Sequence, residues 1–299
     1  MKNNSESTSH VSFSYLSENA VLLEWPEKVC SLQHQHIIYC QQQIYLALNS
    51  LVIDTVVSYA SLIVYYKFDQ LKHDQLNTLL HQAVAKSYLM LNSTKNNSHE
   101  NINATKNQHL TDLTILNNII EIPVYYAEDS GWDIRYVAQQ IGVTVAEVIK
   151  LHCQTIYRAY ALGFTPGFCY LGELVPQLQL PRKSTPRLSV PKGSVAIAQQ
   201  QTAVYPISSP GGWHIIGQTP IEMFQVSATN NDNPSNLLDN LSENLPNKKS
   251  SKTPNKHKLK QKLSHTFTST IEIGQQVKFV PINKTEFLAL GGQLIEELT

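Results

Sequence analysis

The chain has 299 residues, in which 23 Lys and Arg balance 23 Asp and Glu. That length accommodates two domains of ordinary size, and the even charge balance removes any electrostatic drive toward nucleic acid or an anionic membrane surface. The four cysteines, Cys30, Cys40, Cys153 and Cys169, show neither CxxC spacing nor clustering with His, which argues against a metal site or a disulfide framework.

Met1 to His10 is polar and lacks the apolar core of a secretory leader, and no apolar run approaches bilayer-spanning length. The expectation is a cytoplasmic protein with no membrane or nucleic-acid partner. Val11 to Leu16 and Ala20 to Trp25 read as the strands of a hairpin around the polar turn Ser17 to Asn19. Cys30 to Leu48 carries Ile37, Ile38, Ile44, Tyr45 and Leu48 at helical spacing and predicts a helix. Leu51 to Val57 and Leu62 to Phe68 are rich in β-branched and aromatic residues and read as two further strands. Asp74 is placed to cap a helix in which Leu76, Leu79, Leu80, Val84, Tyr88 and Leu91 recur at three- and four-residue steps. The order ββαββα predicts a small α+β domain over residues 1–91, with its helices on one sheet face.

Residues 92–118 begin with an Asn-rich stretch that offers too little apolar surface to offset the entropy of ordering, so they read as a linker. The second domain spans 119–299. Ile119 to Tyr126 predicts a strand, and Asp133 a cap for the helix through Ile134, Val137, Ala138 and Ile141 that Gly142 ends. Thr144 and Glu147 have capping-box spacing and open a helix that delivers His152 near its carboxyl end. Thr155 to Leu162 reads as a strand. Residues 163–220 then hold eight of the 14 prolines and seven of the 12 glycines, interleaved with aromatics. Proline and glycine at that density specify many turns between short strands, which predicts a β-barrel or sandwich. From about 227 to 269 the periodicity is lost. The lysines from Lys248 to Lys262 come with neither arginine nor interleaved aromatics, so the stretch reads as a disordered, solvated insertion rather than a nucleic-acid reader. Ile271 to Ile282, with Gly274 in a turn, closes the strands, and Glu286 to Leu298 forms a terminal tail or short helix.

Several side chains have chemistry suited to a site, and each has a plainer alternative. His152, entering a Gly/Pro-rich region, is placed for proton transfer, or simply for bonding helix-end carbonyls. Arg182 and Arg187 each follow a proline, and their planar forks suit a carboxylate or a phosphate; surface arginines are the alternative. Turns at Gly193-Ser194 and Gly211-Gly212 present backbone amides of the kind that steady an oxyanion, though tight hairpins look the same in sequence. Phe164, Phe168, Tyr170 and Tyr205 would floor a pocket for a small ring or pack a core, and Trp213 reads first as core. The GxxxxGK[ST] and GxSxG patterns are absent.

The succession Gly163-Phe164-Thr165-Pro166-Gly167-Phe168, Tyr170-Leu171-Gly172, Pro181-Arg182, Pro186-Arg187, Val190-Pro191-Lys192-Gly193-Ser194, Tyr205-Pro206 and Ser209-Pro210-Gly211-Gly212-Trp213 resembles the B subunit of prokaryotic 5-oxoprolinase. That family includes a sporulation histidine-kinase inhibitor and is similar to one part of the allophanate and urea-carboxylase enzymes. The likeness extends upstream through Ile122-Pro123-Val124-Tyr125 and Leu151-His152, is weaker back to about Phe13, and lapses from about Val226 to Thr270. It implies a small N-terminal α/β (ferredoxin-like) domain followed by a cyclophilin-like β-barrel. It also implies a C subunit of related fold and a separate A subunit, which together with this chain hydrolyse 5-oxo-L-proline to L-glutamate with consumption of ATP bound by the complex. Under the resemblance Arg182 and Arg187 hold the substrate carboxylate or phosphoryl charge, and His152 moves a proton. Phe164, Pro166, Gly167, Phe168, Tyr170, Ser194, Tyr205, Gly211, Gly212 and Trp213 then line the lactam site. The same likeness leaves open a regulatory module that inhibits a sensor histidine kinase, and an allophanate/urea-carboxylase-like carboxyltransferase component. Gln199-Gln200-Gln201 and Trp132 depart from the family pattern, the first beside the cleft and the second in the turn before Asp133.

Overall fold

The structure, a computed structural model, describes residues 11–26, 29–96, 119–228 and 265–294. Most of the expected linker (92–118) and of the expected insertion (227–269) lies outside the described residues. The first unit contains β1 (Ser12–Ser17), β2 (Ala20–Glu24), α1 (Ser31–Leu48), β3 (Val52–Ser58), β4 (Ser61–Tyr66) and α2 (His73–Asn96). Its sheet has the order β1-β2-β4-β3 and is antiparallel throughout.

Alternation along β4 buries Leu62, Val64 and Tyr66 on one face, where they meet Val21 and Leu23 of β2, Ile37 and Ile44 of α1, and Leu76 and Leu80 of α2. Both helices therefore cover one sheet face, as the ββαββα order predicts. Asp74 is not the cap of α2 but lies inside its first turn, where a carboxylate still favours the positive helix end. The helix also continues past residue 91 to Asn96, into the stretch read as linker. Within this core Trp25 Nε1 donates to His36 Nδ1 at 2.8 Å, and Ser87 Oγ lies 2.8 Å from His36 Nε2.

The second unit contains β5 (Ile119–Tyr125), α3 (Ile134–Ile141), α4 (Val145–Cys153), β6 (Ile156–Leu162), β7 (Cys169–Gly172), β8 (Arg187–Val190), β9 (Ser194–Ala198), β10 (Gln201–Val204), β11 (Ser209–Gly211), β12 (His214–Gln218), β13 (Phe224–Ala228), β14 (His265–Ser269), β15 (Gln276–Ile282) and α5 (Lys284–Ala289). Seven strands close into a barrel in the order β10-β7-β6-β15-β5-β12-β9. Only the β15–β5 pair is parallel among those described, and it joins the two ends of the unit. β13 and β14 form a separate antiparallel ribbon, so the segment read as an insertion starts and ends in paired strand.

The capping signals hold at Thr144, whose hydroxyl accepts from Glu147 N at 3.2 Å, and at Gly142, which ends α3 with φ 72°. α5 opens two residues before the expected tail, on an Asn283–Glu286 capping box. All five residues of β9 are buried, because both of its faces are covered. Val195 and Ile197 join the core under α3 and α4, whereas Ala196 and Ala198 join a second core with Ala203, Phe168, Tyr205 and Trp213. Three alanines on that face leave the volume that the large rings fill.

Candidate functional site

The site is built around Asp133, the residue placed by sequence as a helix cap. It occupies the N-cap position of α3 but makes no side-chain cap bond. Its carboxylate, 5% exposed, instead accepts two bonds from Arg187, Nη1 to Oδ2 at 2.8 Å and Nη2 to Oδ1 at 2.9 Å. Lys183 Nζ reaches Oδ1 at 2.8 Å, and the Ile215 amide reaches Oδ2 at 2.8 Å. The Asp133 amide returns a bond to the Ile215 carbonyl, which pins the loop before α3 onto β12. Gly131 is required in that loop because a Cβ there would collide with the Ile216 carbonyl. Burial alone would raise the Asp133 pKa, but the bonds from Arg187, Lys183 and Ile215 outweigh it and hold the carboxyl below its ordinary value.

Arg187 also stacks over Trp132, 5.5 Å from guanidinium carbon to ring centroid. The departure at Trp132 thus supports the arginine and does more than shape the start of the helix. Arg182 lies over Trp213 at 5.9 Å and is exposed. The two arginines therefore differ: Arg187 is committed to an internal carboxylate, and Arg182 reaches solvent. Between them the Lys183 amide donates to the Gly212 carbonyl at 2.8 Å, and Gly211 pairs in register with Arg187 across the β8–β11 ribbon. A Cβ at Gly211 would strike the Tyr205 hydroxyl.

Beside this cluster opens a cleft of about 410 Å³ lined by Tyr136, Gln140, Pro181, Arg182, Lys183 and His214, together with Ser184 and Thr185. Tyr136 stacks on His214, 5.4 Å between centroids. His214 Nε2 donates to the Pro181 carbonyl at 2.8 Å, while its Nδ1 is buried with no partner among the described residues. Two cations and two hydroxyls around a small cleft suit an anionic ligand.

Phe168 is the hub of the aromatic cluster, with ring centroids 5.3 Å from Phe164, 4.9 Å from Tyr170, 5.4 Å from Tyr205 and 5.8 Å from Trp213. Phe168, Tyr205 and Trp213 are buried and form core, Tyr170 is half-buried, and Phe164 is 58% exposed. Burial pushes the Tyr205 hydroxyl up to about 12, against the pull of Arg182. Pro166 is exposed, and Gly167 turns with φ 79° where a Cβ would lie 2.6 Å from Phe224 Cβ. Ser194 is buried at the start of β9. The amides expected to steady an oxyanion at this turn are already used, Gly193 N by the Tyr205 carbonyl and Ser194 N by the Pro191 carbonyl.

His152 lies elsewhere. It is fully buried at the end of α4, stacked on Phe279 at 4.6 Å, with Nδ1 2.7 Å from the Tyr126 hydroxyl and Nε2 2.9 Å from Thr202 Oγ1. Burial pushes its pKa down to about 3. Thr202 faces the α4 side of β10, whereas Ala203 joins the aromatic core on the other, so the structure does not bring His152 to the arginines. Sequence reasoning missed Lys183, His214 and the pairing role of Asp133. A signal was present: no Asp or Glu stands between Glu173 and Glu222, so any carboxylate partner of Lys183 or Arg187 had to come from a distant part of the chain.

The family described as "Carboxyltransferase domain, subdomain C and D" matches residues 11–236. Among curated proteins, the 5-oxoprolinase B subunit of Bacillus subtilis is 46% identical over 127 residues, 42% of this chain and 51% of that protein. The 5-oxoprolinase B subunit of Escherichia coli O157:H7 is 49% identical over 105 residues, 35% of this chain and 48% of that protein. The chain thus spans about half the length of the curated relatives it matches. Among solved structures, that of TTHA0988 superposes with a TM-score of 0.58 at 25% identity, covering 88% of this chain and 40% of that one.

Proposed function

The chain belongs to the carboxyltransferase-domain family that includes the 5-oxoprolinase B subunits, and on that footing we propose that it serves as the B subunit of an ATP-dependent complex hydrolysing 5-oxo-L-proline to L-glutamate. The observation that carries this reading is the 46–49% identity to three proteins of that name. The cationic cleft supports it, since 5-oxoproline is a small ring with one carboxylate.

In this reading Arg182 holds the substrate carboxylate at the mouth of the cleft, with Lys183 and the Ser184 and Thr185 hydroxyls beside it. Asp133 and Arg187 keep the β8–β11 ribbon in position. A lactam is a poor electrophile, and phosphoryl transfer from ATP to its oxygen makes the ring carbon open to attack by water. The chain has no P-loop pattern, so the proposal assigns ATP to the assembled complex with a C subunit and a separate A subunit. His152, sealed in the core with both ring nitrogens engaged, takes no part in this proposal.

The test is ADP release on adding 5-oxoproline to the chain alone, to its C and A partners without it, and to the full mixture. Substrate-dependent release confined to the full mixture is the expected result. A stable complex without turnover would overturn the proposal in favour of a regulatory binding module.

A further inference from the structure

A second cleft, of about 510 Å³, lies between the N-terminal unit and the barrel, and its lining includes Cys30 and Ser31 at the start of α1 with Arg158, Tyr160 and Glu173 from the barrel. Arg158 Nε donates to His34 Nδ1 at 3.0 Å, and His34 Nε2 donates in turn to the Tyr160 carbonyl at 2.9 Å. A guanidinium only donates and a carbonyl only accepts, so the imidazole between them is neutral and its tautomer is fixed. That chain of bonds sets the plane of the guanidinium. Its Nη2 is nevertheless buried without a partner among the described residues, and no described carboxylate pairs with it. Glu173, the acid of the same cleft, accepts from the Tyr160 hydroxyl at 3.4 Å instead. α1 starts here without a side-chain cap from Cys30 and without an acid in its first turn.

We propose that this cleft binds a small carboxylate-bearing molecule, its oxyanion held by Arg158 and faced by the amino end of α1. A half-buried cation without a counter-charge is costly until one arrives, and the part of the guanidinium that lines the cleft, rather than the sealed Nη2, is what a carboxylate oxygen would meet. The Glu173 charge on the lining works against a dianion, which favours carboxylate over phosphate. The ligand would touch both units at once, beside the Tyr59–Tyr160 ring stack at 5.1 Å that already joins them.

The experiment titrates acetate and L-glutamate, with inorganic phosphate at matched ionic strength, into the full chain carrying Arg182→Ala, so that the barrel cleft does not contribute. Calorimetry should show saturable carboxylate binding, with phosphate weaker. Arg158→Gln should weaken carboxylate binding by about tenfold, the scale of one charge-assisted bond. Arg158→Lys keeps the charge without the fork and guards against a folding failure; it should bind with intermediate strength. Glu173→Gln should tighten binding and admit phosphate. Carboxylate binding that survives Arg158→Gln unchanged would overturn the proposal. So would an absence of saturable carboxylate binding to the folded chain with Arg158 intact.

Discussion

Asp133 and His152 are both buried ionisable residues beside the barrel, and the fold treats them in opposite ways. Asp133 stays charged because two cations and an amide surround it, and one of those cations, Lys183, also lines a cleft. His152 stays neutral because its partners are hydroxyls and an aromatic ring, and it is 0% exposed. Burial of a titratable group therefore does not by itself mark a site. What distinguishes the two is whether the network around the group carries charge to a surface that a ligand can reach.

Acid separates the two regions most sharply. His34, His36 and His152 have pKa values pushed down to about 4, about 4 and about 3, by burial in each case and, for His34, by the nearby Arg158 charge as well. Groups whose folded pKa is depressed take up protons first in the unfolded chain, so stability falls as the pH drops below the ordinary histidine value and stops falling only below the folded values. Each shift of this size is worth on the order of 3 kcal/mol. Asp133, with its pKa below the usual carboxylate range, keeps its charge over that window. Urea titrations between about pH 7 and pH 4 should therefore show a slope approaching three protons, and His152→Phe should remove about a third of it. A flat profile would show that the buried histidines are protonated at no cost.

Asp133→Ala is the reciprocal test. It strands Arg187 and Lys183 and leaves the Ile215 amide without its acceptor, so the expected loss is about 3–5 kcal/mol of unfolding free energy at neutral pH. Asp133→Asn should lose less, because its amide oxygen can still accept from one of these donors. Equal stability of the wild type and Asp133→Ala would show that the ion-pair network does not hold the β8–β11 ribbon.

What the sequence showed and hid follows the range of the signals involved. Turns, strands and caps are local, so the hairpin at Ser17 to Asn19, the cap at Thr144 and the stop at Gly142 were legible. The convergence of Phe168, Tyr170, Tyr205 and Trp213 was legible too, because the Gly/Pro turns keep their strands close in the chain. The parallel pairing of β15 with β5 joins segments more than 150 residues apart, and no local pattern specifies it. Asp133 stands at the N-cap position expected of it, but the role of its side chain was hidden for a related reason. An Asp at a helix start satisfies the rule for a cap, and only tertiary structure shows that its oxygens face Arg187, 54 positions away. His152 shows the converse: a helix-end histidine next to a Gly/Pro-rich stretch looks accessible in sequence, and which face of β10 it meets depends on how the barrel closes.

Arg182 and Arg187 provide the finest division, since they share a Pro-Arg context and differ in their partners. Arg182 lies over Trp213 in solvent, where a cation–π contact is worth about 0.5–1 kcal/mol at most, so Arg182→Ala should change the urea midpoint little. If it holds the substrate carboxylate, the same variant should raise the 5-oxoproline KM of the reconstituted complex by roughly ten- to a hundredfold, as the loss of one charge-assisted contact would. Arg187→Lys should do the reverse. It surrenders the bidentate bond to Asp133, lowering stability by about 1–3 kcal/mol, while leaving KM largely unchanged in whatever fraction remains folded. An Arg182 variant with wild-type KM would move substrate binding off this edge of the cleft, toward Lys183 and His214, and the stability arm would still stand.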